Sequence, residues 1–591
     1  MPAAPVLTTA RIRGSWYTDA LLAVALTTML SLIVFGPVFY ALGDAWGPGD
    51  MLSHYVNVDT WAGFGHEVDT HYGYPLGMNQ NLFPGVDITQ NTFAAVVSSL
   101  TGNPFIGLNT LIILSFPLTA ALTVIALRLV GLTGWWAIAL AASYTFIPYH
   151  WGRSLGHVYL GTMYAAVTGV ILALLIGTGR LRRDKLTKGR IAGIATLVVI
   201  TAWSNVYYAA FGVLLMLAAI FFRLIKGDNR RQLGAALLPA IGTAAVTVIG
   251  LIPAIIARAS ESNIAQLGSR AAFDSVTLAG NLAMAIVPAP VSQLPYMGYY
   301  NEAIYGLIDD APQLENVSAT NFGTWIITAG LIYALIWWIV RLRRGRRIPQ
   351  NFQLLAVLTF VTILFFIPWG VNALVAEFLT AQIRAWNRLI PTLLLLLLLI
   401  VAVAIRRTPR LIRTRVSLIG PMFVLLIVLV EQVWPWRAVY IDTVDRYSQE
   451  TAWAREYAAV TNQALPGECG ILQIPRMIYP ENGTVPPELT DYEHFWQPLT
   501  NREKDFSYGA IVFTEADRAV ADIQGFPARP ALDQFTDLGF CGVHVDMRGI
   551  EEERRDRFTA NLEANLGSPI ATGREGEWLL FALPGASAVT P

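Results

Sequence analysis

Residues 43–91 read GDAWGPGDMLSHYVNVDTWAGFGHEVDTHYGYPLGMNQNLFPGVDITQN. The stretch follows directly on an apolar run, Leu21 to Leu42, long enough to cross a bilayer. It holds six carboxylates (Asp44, Asp50, Asp59, Glu67, Asp69 and Asp87) and three of the chain's seven histidines (His54, His66 and His71). No Lys or Arg interrupts it. An acidic, aromatic loop beside a span predicts chemistry carried out at a membrane surface.

The rest of the chain supplies the membrane. Of 591 residues 54% are hydrophobic and only 14% charged, against roughly 25% charged in soluble proteins. The charge is uneven: residues 1–435 read as membrane sequence and 436–591 as ordinary soluble sequence. Zero net charge argues against a nucleic-acid partner. A span needs about 20 apolar residues. Eleven segments are candidates: 19–42, 104–130, 133–149, 158–178, 191–205, 206–224, 233–257, 323–340, 353–375, 388–405 and 416–435. Those at 133–149 and 191–205 are short. Residues 88–101 are too short and polar to span and are expected to lie in the interface or re-enter.

Four short loops are dense in Lys and Arg, around 180–190, 223–231, 341–347 and 406–415. The positive-inside rule places all four in the cytoplasm. The N-terminus is then cytoplasmic, its first span uncleaved. Loop 43–103, the loop 258–322, the segment 376–388 and the C-terminal part lie outside. The expectation is a polytopic α-helical protein of the plasma membrane with about eleven transmembrane helices and a small extracytoplasmic α/β domain over 436–591. In that domain GILQIP, GAIVF, CGVHVDM and EWLLFALP read as strands, and EEERRDRFTANLEANLG as a helix ending at Gly567. Cys469 and Cys541 are either a disulfide or two buried thiols.

Several constellations carry candidate chemistry. Asp50 begins a helical pattern, and Asp50 and His54 fall at i, i+4 on one face; Asp50 is a candidate general base or a helix cap. The turn Tyr72-Gly73-Tyr74-Pro75 with Asn79 is either the floor of a sugar site or a packed loop. In PYHWGRSLGH, residues 148–157, Arg153 is a lone cation among aromatics, suited to a phosphate or to interfacial anchoring; His157 closes the motif. In IRAWNR, residues 383–388, Arg384 and Arg388 run against the positive-inside trend and suggest an anionic substrate or an acidic partner. Glu315 is the acid of the 258–322 loop favoured to reach the site. No P-loop, HExxH or dinucleotide fingerprint is present.

Taken together, a first span, a long outer loop with an acid near its start, many further spans and an outer domain resemble the GT-C fold of membrane glycosyltransferases. The residues carrying the resemblance are Asp44 and Gly49-Asp50, the PYHWGRSLGH motif and IRAWNR. The resemblance implies a bacterial enzyme of inverting type that takes a sugar from a polyprenyl-phosphate donor and passes it to a glycan, lipid or protein acceptor of the envelope. It implies Asp50 as base with Asp44 the competing choice, and Arg153, Arg384 and Arg388 at the donor phosphate. His54, Tyr74, Asn79, His157 and Glu315 are further binding candidates. Asp44 and Asp50 stand six apart, where many members of the family carry an adjacent acidic pair. Some members bind a divalent metal, and no ligand spacing here compels one. Two other classes compete: a transporter or flippase of lipid-linked sugars, which requires polar residues deep within spans, and a non-catalytic scaffold of envelope assembly.

Overall fold

The computed structural model describes residues 16–62, 68–82, 85, 87–181, 187–228, 230–261, 264, 267–286, 322–409, 411, 416–465, 467–480, 489, 491–521 and 529–585. Glu315, His66 and Glu67 lie outside them. Among the described residues eight helices are long and apolar enough to cross a membrane: Tyr17–Ala41, Pro104–Val130, Val158–Gly177, Val206–Ile225, Leu233–Ser260, Trp325–Arg343, Trp386–Arg406 and Ser417–Ala464. A ninth arises if Gln350–Phe366 and Val371–Phe378, bent by 58°, count as one span.

Of the eleven expected segments, eight or nine thus meet that length and hydropathy among the described residues. The bent pair decides between eight and nine, and the two short candidates make up the rest of the difference. Segment 133–149 forms Trp135–Thr145, 11 residues, and breaks before Pro148, which opens a separate turn, Pro148–Arg153. Segment 191–205 forms Lys188–Trp203, 16 residues, and stops where the Asn205 side chain caps the next helix through the Tyr207 amide. Residues 88–101 form an amphipathic helix, Ile88–Thr101, which buries Gln90, Asn91 and Ala94 and exposes Phe93, Val96 and Leu100.

The opening stretch is tied to the second span at its very start. Asn109 donates to the carbonyls of Leu42 at 3.0 Å and Asp44 at 2.8 Å, and Asn103 donates to that of Gly43 at 3.1 Å. The Tyr55 hydroxyl accepts from the Trp46 amide at 3.1 Å and donates to Asn109 at 2.8 Å. These buried polar side chains satisfy backbone groups that the chain would otherwise leave unpaired as it turns away from the first helix. The helix Asp50–Ala62 follows, with Met51, Leu52, Tyr55, Val56 and Val58 buried.

The last span does not end at the expected boundary of 435. A π-helical turn, Val428–Val433, runs into the helix Trp434–Ala464, which carries the chain unbroken into the C-terminal part. There five strands, β1 (Gly470–Ile474), β2 (Asp505–Phe506), β3 (Phe540–Asp546), β4 (Ala571–Gly573) and β5 (Trp578–Ala582), form one sheet in the order β2-β1-β3-β5-β4. β1 is parallel to β2 and β3; β5 is antiparallel to β3 and β4. The two-residue side-chain period of a strand divides the sheet's faces. Ile471, Trp578 and Leu580 join Ala454 and Tyr457 of the long helix in the main core. Leu472, Val543, Val545 and Phe581 form a second core with Leu532, Phe535 and Leu562, which lie on the helices Arg529–Asp537 and Glu552–Leu566. The predicted helix ends at Gly567 as expected, and Cys469 and Cys541 form a disulfide. GAIVF is not one of the strands: Gly509 (φ +111°) and Phe513 (φ +71°) bend it, leaving one bridge between Tyr479 and Ile511.

Candidate active site

Span ends converge at the end of the bundle that carries the opening loop. The helix Asp50–Ala62 brings Asp50 and His54; the turn before Val158 brings Arg153 and His157; the start of the next helix brings Asn205 and Tyr207; the short turn Trp386–Leu389 brings Arg388. Asp87 lies immediately before the helix Ile88–Thr101.

Asp50 and His157 form an ion pair through Oδ2 and Nδ1, each side chain about a third exposed (34% and 38%). Burial works against ionising Asp50, but the hydrogen bond and charge of His157, with His54 and Arg388 nearby, outweigh it and bring the carboxyl down to about 2. Burial pulls His54 down to about 4, so its ring is neutral at physiological pH. Among the described residues neither buried His54 nitrogen has a hydrogen-bond partner, and the ring rests 4.2 Å from that of Tyr159. A neutral imidazole carries one donor and one acceptor, and each left unmet in the interior costs roughly 1–3 kcal/mol.

Two cations face the same region. Arg388 lies over the Tyr207 ring at 4.3 Å and Arg153 over Tyr149 at 5.6 Å. Among the described residues neither has a carboxylate within ion-pair distance, and the Arg153 Nε is buried with no partner. Burial holds the Arg153 guanidinium below its usual range, and repulsion from Arg388 adds to this. A guanidinium does not give up its proton in a protein, so two such groups side by side are relieved by an anion.

Asp87 accepts a hydrogen bond at 3.0 Å from Asn205, whose own carbonyl oxygen accepts from the Tyr207 amide at 3.0 Å. Burial pushes the Asp87 carboxyl up to about 7, against the pull of Asn205 and Arg388. This residue and Asn205 were not singled out from the sequence as site residues. The available signal was weak: an acid directly before a helical pattern, and an Asn between two apolar helices.

The other expected site residues lie elsewhere. Asp44 accepts from Arg455 at 2.7 Å and Ser448 at 2.6 Å, joining the loop to the long last helix. Arg384 pairs with Asp274 at 3.4 Å. The Asn79 side chain accepts from the Asn81 amide at 3.1 Å within its own turn. Tyr74 belongs to a clamp on the C-terminal sheet: its hydroxyl donates to the Leu538 carbonyl at 3.2 Å and its ring meets Phe540 edge-on at 5.0 Å. Beside it the loop meets β2 through one parallel bridge, Tyr72 to Phe506. The Gly73 amide donates to Tyr508 at 3.0 Å, the Tyr74 amide to Phe506 at 2.9 Å, and the Phe506 amide to His71 at 3.1 Å. Among the described residues no three His, Cys, Asp or Glu side chains are grouped to hold a metal ion.

No family model matches the sequence, and no curated protein does. Among solved structures, the oligosaccharyltransferase of Archaeoglobus fulgidus is similar over most of the chain. In complex with Zn and sulfate it is 15% identical with a TM-score of 0.46, covering 95% of this chain and 72% of that one. As AglB, in complex with an inhibitory peptide and a dolichol-phosphate, it is 15% identical with a TM-score of 0.47, covering 98% and 75%. Tethered to an acceptor peptide containing the NVT sequon, it is 13% identical with a TM-score of 0.43, covering 98% and 74%.

Proposed function

We propose that this chain is a membrane glycosyltransferase of GT-C type. It moves a sugar from a polyprenyl-phosphate donor to a hydroxyl of an envelope glycan, lipid or protein. The observation that carries the reading is the contact of the ionised Asp50 with His157, standing beside two arginines that lack a carboxylate partner among the described residues. One group handles a proton, the other an anion, and glycosyl transfer from a lipid phosphate needs both. The disulfide between Cys469 and Cys541 supports an extracytoplasmic C-terminal part, and the basic loops support a cytoplasmic N-terminus.

In this reading the acceptor oxygen attacks the anomeric carbon from the face opposite the phosphate, with inversion. The bond from carbon to phosphate oxygen breaks and its electron pair leaves with the phosphate. Arg153 and Arg388 stabilise the charge that develops there. Asp50 first holds the acceptor hydroxyl. A carboxylate brought down to about 2 is a weak base, so it takes the proton late, once bond formation has made the hydroxyl acidic. Asp44, already engaged by Arg455 and Ser448, is assigned to holding the loop.

The test is Asp50→Asn in membranes supplied with a radiolabelled polyprenyl-phosphate sugar. Transfer should fall by about 10²–10⁴-fold while the protein keeps its thermal midpoint. Undiminished transfer would remove Asp50 from the mechanism.

A further inference from the structure

Arg388 acts through its charge on Asp50, Arg153 and Asp87 alike. Arg153 and Arg388 are suited to phosphate. Near it also stand planar hydrogen-bonding groups: Asp87 with Asn205, Tyr159 with Asn91, and Asn57 with Gln80. Among the described residues only Asn205 bonds to the Asp87 carboxylate, at its Oδ1, and none bonds to the second oxygen. His54 lies against Tyr159, both its nitrogens buried and without a partner among the described residues.

We infer that Asp87, Asn205 and His54 form the subsite that grips the transferred sugar. This rests on the reading of the site as a glycosyltransferase centre. A sugar hydroxyl both donates and accepts. The second Asp87 oxygen accepts the donated hydrogen bond, and a neutral His54 supplies either role. Asn205 fixes the Asp87 carboxylate from behind and starts the helix that carries Tyr207 under Arg388. The sugar ring is thereby set beside the phosphate it is leaving. The ligand class is a pentose or hexose with free hydroxyls near the anomeric carbon. A sugar lacking them leaves buried polar groups unpaired and is rejected.

The experiment titrates the purified full chain in nanodiscs with farnesyl phosphate and with its mannosyl, glucosyl, galactosyl and arabinosyl glycosides. Wild type should bind at least one glycoside about tenfold or more tighter than farnesyl phosphate alone. In Asp87→Ala and Asn205→Ala that ratio should fall toward one, with Asp87→Asn between. A ratio unchanged in these variants, a parallel loss of both affinities that keeps the ratio, or a wild type that prefers no glycoside overturns the subsite and leaves the donor-phosphate reading standing. A wild type that binds neither form overturns the donor reading, and the subsite with it.

Discussion

Replacing Gly73 by alanine tests whether the opening loop is held by the C-terminal sheet. Gly73 sits at φ +74°, where a Cβ costs roughly 1–2 kcal/mol. That Cβ would also stand 2.7 Å from the Ala510 nitrogen and 2.9 Å from its Cα. These are backbone atoms, so no side chain can swing aside; the two segments must separate. Separation strains the three hydrogen bonds joining residues 71–74 to 506–508, each worth roughly 1 kcal/mol net. Losing two of the three with the backbone cost comes to about 3 kcal/mol. At 1.4 kcal/mol per factor of ten, opening of this joint should become about a hundredfold more frequent. Hydrogen exchange read by mass spectrometry on peptides covering 68–78 and 503–512 measures it directly. Exchange should quicken there by about that factor and stay unchanged in β3 and β5. Unaltered exchange in both peptides, or an equal rise across the whole sheet, would refute the clamp.

Two further outcomes concern the acids. Asp44→Asn should cost about 1 kcal/mol of stability, since Arg455 is half exposed, and should slow transfer less than tenfold; a loss as deep as that of Asp50→Asn would move the base to Asp44. Between pH 5 and 9 Asp50 stays ionised and His54 neutral, whereas Asp87, pushed up to about 7, titrates. The groups facing Asp87 are Arg388, Asn205 and the phenols of Tyr159 and Tyr164. Because its ionised form is the acceptor, transfer should rise with pH through about 7, and Asp87→Asn should give a slower rate that is flat in pH. A bend near 7 that survives in Asp87→Asn would assign it to another group.

Much of this was legible in the sequence because membrane insertion and helical period are local properties. Seven of the eight long apolar helices follow the expected segments closely, since hydropathy alone sets them. The eighth outran its expected end: hydropathy marks where the apolar run stops at 435, but the backbone remained helical into polar sequence, which only packing against the sheet explains. The i, i+4 relation of Asp50 and His54 was readable for the same local reason. The partnership of Asp50 with His157, 107 residues further on, is a tertiary fact. Tyr74 misled because aromatic, glycine and proline residues build a sugar floor and a packed turn equally well. Its actual neighbours, Leu538 and Phe540, come from the far end of the chain.

The clamp and the site are parts of one arrangement. The helix Asp50–Ala62 is flanked by the chain leaving the first span and by the loop returning toward Ile88. Asn103 and Asn109 fix the first flank to the second span. The second flank, beyond Ala62, would be free to sway without residues 71–74 paired to β2 and Tyr72 joined through Asp59 to Arg502. The C-terminal part thus braces the Asp50 helix from the side away from the spans, while Arg153, His157 and Arg388 reach it from the span ends. The proposed transfer, with a carboxylate and an anion hole on opposite faces of one carbon atom, would need both supports fixed at once. The last helix, running unbroken from the bundle into the C-terminal part, ties the second support to the spans.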